Sequence, residues 1–281
     1  MRAWFNYLRG TPVPDKKANS PWTAEEITAF REAKNEIWHA AIFQDDGCIG
    51  ESLDKATRRF GGEMEDTDDS DSNSGHDGES HNKHQNAYHL VNLCRMLTED
   101  ELEHLEIFGE PESTQYSLLF IAIHRKSFND VRYLLQRCEI QLDLQSGSQM
   151  LTPLCQAIGK REHKIVNDML TCLFDTVPSQ YIDKGDAQGN TPLHKVVFNY
   201  LRDEGEAFRN DKNTFELLLL HGANINALNN SLQTPLHSLV SWCIWRYNDQ
   251  MHEGIQKLLD NRAEVNTRDM WGKRVRGILI D

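Results

Sequence analysis

GNTPLHKVV, Gly189 to Val197, decides the reading of this chain, because it returns almost unchanged as LQTPLHSLV, Leu232 to Val240. Each is followed by a second apolar run that also repeats: FELLLLHGANIN, Phe215 to Asn226, and IQKLLDNRAEVN, Ile255 to Asn266. The shared letters have physical reasons. Thr191 and Thr234 offer a hydroxyl that caps a helix, and Pro192 and Pro235 suit the first helical position, where no N–H is needed. His194 and His237 follow in the same turn. Gly222 accepts the left-handed backbone that ends a helix. Leu217 to Leu220 is more apolar than a lone amphipathic helix requires, as expected where neighbours stack on both sides.

Two weaker copies lie upstream. LTPLCQAI, Leu151 to Ile158, precedes HKIVNDML, and YSLLFIAI, Tyr116 to Ile123, precedes DVRYLLQR. Ser117, Thr152, Thr191 and Thr234 are equivalent, at separations of 35, 39 and 43 residues. These residues resemble the ankyrin repeat, whose T-P-L-H-x-A signature recurs with a period of about 33 residues. The excess length falls between the two helices in the third and fourth copies. In the second it follows the second helix, in FDTVPSQYIDKGD. The resemblance implies an all-α ankyrin-repeat solenoid of helix-turn-helix repeats with short hairpin loops, plus an N-terminal helical extension. It also implies that His194 and His237 bond backbone and hydroxyl groups and are not catalytic. The repeats are placed at about 112–146, 147–185, 186–228 and 229–268. A partial cap at 269–281 has Arg274 and Val275 where the others have Thr and Pro.

Upstream, Thr23 with Glu26 has the form of a capping box, and Ile27, Phe30, Ile37, Trp38, Ala41 and Ile42 share one helical face. This helical segment is placed at 1–62. At this length an independent core is marginal, so the segment is expected to dock onto the repeats. EMEDTDDSDSNSGHDGES, Glu63 to Ser80, carries eight acids and no basic residue. It cannot bury enough apolar surface to offset its ordering entropy, so 63–85 is expected to be a disordered acidic linker. Ala87–Leu97 and Glu99–Phe108 read as a helix pair, with Thr98 and Glu101 as a second capping box. This pair is placed as the helical N-terminal cap, 86–111.

The 281 residues hold 30 basic and 43 acidic side chains, a net charge of -13. That balance argues against a general nucleic-acid binder and against binding to anionic membranes. No apolar run is long enough to span a bilayer, and MRAWFNYLRG has no signal-peptide core. Six scattered cysteines without a CxxC pair fit a reducing compartment. An intracellular, cytoplasmic protein is expected, and a monomer.

No catalytic motif is complete. Cys48, in DDGCIG with His39 upstream, is the sharpest enzyme candidate, a thiol nucleophile needing a nearby base. Asp45 and Asp46 beside it oppose thiolate formation. His76, His81, His84 and His89 are too loosely spaced to fix a metal. Neither cofactor nor metal is expected.

The resemblance instead implies a protein-interaction module that binds a protein partner on its concave surface. Alignment to the repeat places Tyr116, His124, Arg125, Lys160, Gln188, Asn190, Phe198, Asn199 and Asn230 on that surface. The fourth-copy insertion SWCIWRYNDQMHEG adds Trp242, Trp245 and Tyr247, residue types that dominate interface hot spots. Asn226 and Asn266 resemble the asparagines that an oxygen-sensing asparaginyl hydroxylase modifies in ankyrin proteins. Irregular repeats with a non-repeat N-terminal piece resemble ankyrin effectors that intracellular bacteria inject, which would act in host cytosol or nucleus. A eukaryotic or viral ankyrin protein is the alternative. An adaptor recruiting a second protein through its N-terminal helices is a further one.

Overall fold

The computed structural model describes residues 24–60, 92–111, 113–136, 140–160, 162–174, 181–199, 206–243 and 249–275. The Trp4 to Leu8 cluster, Thr23, the acidic tract, Trp245, Tyr247 and the end of the partial cap lie outside them. The chain divides into two units, Met1–Gln141 and Leu142–Asp281.

In the first unit, α1 (Ala24–Phe43) and α2 (Cys48–Phe60) form an antiparallel pair around Phe30, Ile37, Trp38, Ala41, Ile42 and Leu53. This is the face expected from the sequence. β1 (Cys94–Met96), α3 (Glu99–His104) and β2 (Gln115–Ser117) follow, then α4 (Leu118–His124) and α5 (Phe128–Leu135). β1 and β2 pair antiparallel, Arg95 opposite Tyr116. Over the described part of the helix expected at Ala87–Leu97, residues 92–97, a strand stands at 94–96 instead. A short apolar run does not tell helix from strand by periodicity, and β2 supplies a pairing edge. α3 is shorter than expected but has the Thr98–Glu101 capping box, each side chain bonding the other's backbone N–H at 3.3 and 2.9 Å.

α1 packs on α4 and α2 on α5, first helix on first and second on second. The helix ends are joined by reciprocal caps. Asp130 of α5 is fully buried and accepts from Gly47 N–H at 3.1 Å and Gly50 N–H at 3.2 Å, at the start of α2. Asp46 accepts from Asn129 N–H at 3.0 Å and Asn129 Nδ2 at 2.9 Å, at the start of α5. Each carboxylate thus sits at the positive end of the other helix. Arg125 donates to the carbonyls of Ala41, at 2.9 Å, and Gln44, closing the C-terminal end of α1. α1 and α2 therefore stand beside the first repeat, packed on α4 and α5 as a preceding helix pair would be. The bare backbone of Gly50 makes room for Tyr133, whose ring lies 3.1 Å from where a Cβ would stand.

The second unit holds three helix pairs: α6 (Pro153–Lys160) with α7 (His163–Phe174), α8 (Pro192–Asn199) with α9 (Glu206–Leu220), and α10 (Pro235–Cys243) with α11 (Asp249–Asp260). Each first helix opens on the expected proline. First helices stack on first helices, α6 on α8 on α10, and α7 packs on α9. Leu193, Val196, Val197, Leu218, Leu236, Leu239 and Leu258 have no exposed surface. Each such side chain contributes about 1.5–3 kcal/mol of burial. Leu220 departs from the expected apolar run: it is 72% exposed. α9 ends at Gly222 in a left-handed cap, with Ala223 N–H on Leu218 O at 2.9 Å and Gly222 N–H on Leu219 O at 3.0 Å. α11 ends identically, with Arg262 at φ 67° in the glycine position.

Candidate protein-binding face

The loops at 186–190, 229–233 and 269–273 are each built around one side chain. Asp186 Oδ1 accepts from the N–H groups of Gln188 and Asn190, both at 2.9 Å. Asn229 does the same for Ser231 and Gln233, at 2.9 and 3.0 Å, and Asp269 for Trp271 and Lys273, at 3.0 and 2.8 Å. The residue three places on is left-handed: Gly189, Leu232 and Gly272, at φ 75°, 56° and 76°. The preceding loop has Gly147 in the acceptor's place and Met150, at φ 51°, in the left-handed one. A Cβ on Gly189 would stand 2.8 Å from the backbone nitrogen of Asn230, so neighbouring tips approach too closely for a side chain there.

The tips are tied in a row. Ala187 N–H donates to Gln149 O at 2.8 Å, Asn230 N–H to Gln188 O at 2.9 Å, and Met270 N–H to Ser231 O at 2.9 Å. Asp183 and Asn226 add a second row deeper down. The Asp183 carboxylate accepts from Asn224 N–H at 3.0 Å, and Asn226 Oδ1 from Glu264 N–H at 2.8 Å.

The histidines join helices to loops. His194 Nδ1 lies 2.9 Å from the Thr191 hydroxyl, and Nε2 lies 3.0 Å from Gln233 O of the next loop. A carbonyl only accepts, so Nε2 carries a proton, and Nδ1 accepts from Thr191 N–H at 3.2 Å, so the ring is neutral. His237 repeats this with Thr234 and Thr267 O, both at 2.9 Å. Burial is the main cause holding the His194 pKa down at about 4. Cys155 occupies the histidine position of the earlier copy. Its Sγ points at Lys184 O and Asn190 O, at 3.8 and 3.9 Å, and burial pushes its thiol up to about 11. A thiol held protonated in this way is packing, not a nucleophile. Asp186 also takes the Lys195 ammonium at 2.6 Å.

The residues expected on the binding surface therefore separate. Lys160, Gln188, Phe198 and Asn230 are exposed in the second unit. Asn190 is half-buried, and its Oδ1 accepts from Asn229 Nδ2 at 2.9 Å. Asn199 is buried and donates to Ile158 O at 3.2 Å, so it fastens α8 to α6 and presents nothing outward. Tyr116, on β2, is 1% exposed, and its ring packs against Phe120. His124 bonds Leu105 O at 2.9 Å, and Arg125 caps α1 as described. Alignment to the repeat misplaced these because it ignored the elements packed against them. Trp242 lies on α10, but its side chain is outside the described set, as are Trp245 and Tyr247. Asn226 is half-buried, while Asn266 is exposed. His76, His81, His84 and His89 fall outside the described residues. Among those residues, no hydrogen bond joins Cys48 to a histidine, and no helix is long and apolar enough to cross a membrane.

The sequence reading named Gln188 and Asn230 on the tips but overlooked the large apolar residues there. Met150, Leu232, Met270 and Trp271 are 46%, 48%, 56% and 63% exposed. The available signal was a large apolar residue where another copy has Ala187, Gln188 or Gly189.

The crystal structure of EF0377, an ankyrin repeat protein, aligns with 59% of this chain and 74% of its own. Its TM-score is 0.47 and its identity 20%. A Fowlpox virus (strain NVSL) protein described as ankyrin repeat protein FPV031 is 34% identical over 154 residues. The match takes in 54% of this chain and 39% of the viral one, so the chain spans well under half of that relative. The family model for the ankyrin repeat matches residues 188–230, the third copy and its tip. With the bonded loop, the left-handed helix end and the histidine recurring in the copy that follows that match, the chain carries ankyrin repeats.

Proposed function

We propose that the chain is a protein-interaction module, a scaffold that binds a protein partner on the loop tips and first-helix ends of its repeats. The observation that carries this reading is rigid display. Gln188 and Asn230 stand exposed on tips whose backbone is bonded on both sides. Binding on such a surface gives up little conformational freedom. Lys160 and Phe198 extend it along the last turns of α6 and α8. Phe198 aligns with Gly159 and Ser241 on the neighbouring helices, so a large apolar side chain stands exposed where the other copies have small ones. Trp242, Trp245 and Tyr247 join this face in our reading as rigid anchors.

The apolar faces and caps of α1 and α2 are committed to α4 and α5, so we place the partner on the repeats and not on residues 1–62. A virus encodes the relative, which supports the viral alternative to an injected bacterial effector. In either case the partner is a host protein met inside the cell, by a monomeric chain. We place any asparagine hydroxylation at Asn266 rather than at Asn226, whose amide is used between copies.

Affinity capture with the full chain from host-cell lysate, read by mass spectrometry, tests the reading. Lys160→Glu with Phe198→Ala should weaken the captured partner on the order of tenfold or more, with the melting temperature unchanged. A partner indifferent to both substitutions sinks it.

A further inference from the structure

We propose that the tip edge of the second unit recognises an acidic protein segment carrying large apolar side chains. This names the partner's chemistry for the interaction reading above and rests on it.

Two independent features of the edge point to that chemistry. The first is apolar. Met150 and Leu232 hold left-handed backbone that Gly189 and Gly272 hold elsewhere without strain, and both project large side chains into solvent. Met270 and Trp271 are exposed beside them on the last tip. The ladder Gln149–Ala187, Gln188–Asn230, Ser231–Met270 places these tips consecutively along one edge. Position alone accounts for the exposure of Met270 and Trp271. Their counterparts Ala187, Gln188 and Asn230 are also exposed, and Ser231 half-exposed, in loops that do have a following copy. Position does not account for the residue types.

The second feature is charge. Across the tips at 147–151, 186–190, 228–233 and 268–274, the exposed charged residues are Arg268, Lys273 and Arg274. The two acids there, Asp186 and Asp269, are buried in their loops. No acidic side chain pairs with any of the three cations among the described residues. A chain of net charge -13 thus presents an edge whose only exposed charges are positive. Screening confines the field of each charge to about 8 Å at physiological salt, so a docking segment meets the local cations and not the net charge. Guanidinium groups pair carboxylates bidentately, and an exposed indole beside them offers an apolar contact. A neutral apolar segment would leave the cations unused; a purely acidic one would leave Trp271, Met270 and Leu232 bare.

The test is a fluorescence-anisotropy titration of the full chain with a short labelled peptide of aspartates and glutamates around a central Leu-Phe pair. The peptide should bind, more weakly as salt rises, and Trp271 emission should shift to the blue. Lys273→Glu with Arg274→Glu should weaken binding on the order of tenfold, and Trp271→Ala likewise. All three side chains are exposed, so the fold should hold, as circular dichroism would check. Absence of binding, equal affinity for the same peptide with asparagine and glutamine replacing its acids, or equal affinity in the variants overturns the inference. So does preference for a single-stranded oligonucleotide. A cellular partner lost with Lys160→Glu and Phe198→Ala, but indifferent to the tip substitutions, overturns the acidic-segment inference and leaves the interaction reading standing. A partner indifferent to both sets overturns both.

Discussion

Replacing Asp130 by Ala should unfasten α1 and α2 from α5. The carboxylate is fully buried and accepts three hydrogen bonds: Gly47 N–H at 3.1 Å, Gly50 N–H at 3.2 Å and the Ser127 hydroxyl at 2.6 Å. Ser127 keeps a partner in the variant, because Asp46 Oδ1 also lies 2.6 Å away. The two backbone donors do not. A buried donor left unpaired costs about 1–3 kcal/mol. Gly50 N–H is buried and should fall near the top of that range, whereas water can reach part-buried Gly47. Part of the loss is returned because a buried charge is no longer desolvated. The net expectation is about 2–3 kcal/mol, read as the drop in urea unfolding free energy, with faster hydrogen exchange at Gly47 and Gly50. The double variant with Asp46→Ala carries the sharper test. One hydroxyl proton serves two carboxylates, so either single variant keeps the Ser127 bond and the double variant loses it. Repulsion between the carboxylates is likewise relieved once in the double variant but counted in both singles. Both effects make the double loss exceed the sum of the singles, by about 1 kcal/mol. Unchanged stability with protected Gly47 and Gly50 amides, or a double loss below the sum, would refute the reciprocal cap.

The His194 ring should make the second unit acid-sensitive. Its folded pKa, about 4 against 6.5 for the free side chain, means the unfolded chain binds the extra proton first. Stability from this group is complete above pH 6.5 and lost as pH falls toward 4, by about 2 kcal/mol at pH 5; His194→Gln should flatten that part of the urea-midpoint profile. Leu232→Gly should relieve left-handed strain of about 1–2 kcal/mol and return about half of it through the entropy of glycine. Its melting temperature should therefore hold or rise, and a clear fall would show Leu232 to be packed. Asn226→Ala should lower stability by about 1 kcal/mol by removing the bond that joins it to Glu264 N–H, whereas Asn266→Ala should leave the melting curve where it was.

The repeats were legible because their chemistry is local. The Thr191–His194 bond joins residues three apart, and the Pro192 start and Gly222 stop each need only their own helix. The surface was less legible because exposure is not local. Arg125 and Asn199 occupy outward positions of an ideal repeat, yet one caps α1 and the other reaches Ile158 O. Neither partner is near in sequence. Tyr116 was lost for the same reason: it lies on a strand whose partner residue, Arg95, is not near in sequence either.

The least legible part is the pair α1–α2, which stacks on α4–α5 as one repeat stacks on another but has no Thr-Pro-Leu-His start. Those letters exist to satisfy helix ends from within a copy. In this pair the ends are satisfied from the neighbouring copy: Asp130 caps α2, Asp46 caps α5, and Arg125 closes α1. Once the caps are supplied across the contact, no signature needs to stay within the pair. The sequence that follows it is also released from forming a tight loop. The long stretch between Phe60 and Gln115, with its acidic tract, stands in the place in sequence where the later copies carry only a short bonded loop. An insertion of that length is tolerated because the stacking contacts it bridges, α1 on α4 and α2 on α5, are made by helices on either side of it and do not depend on the loop.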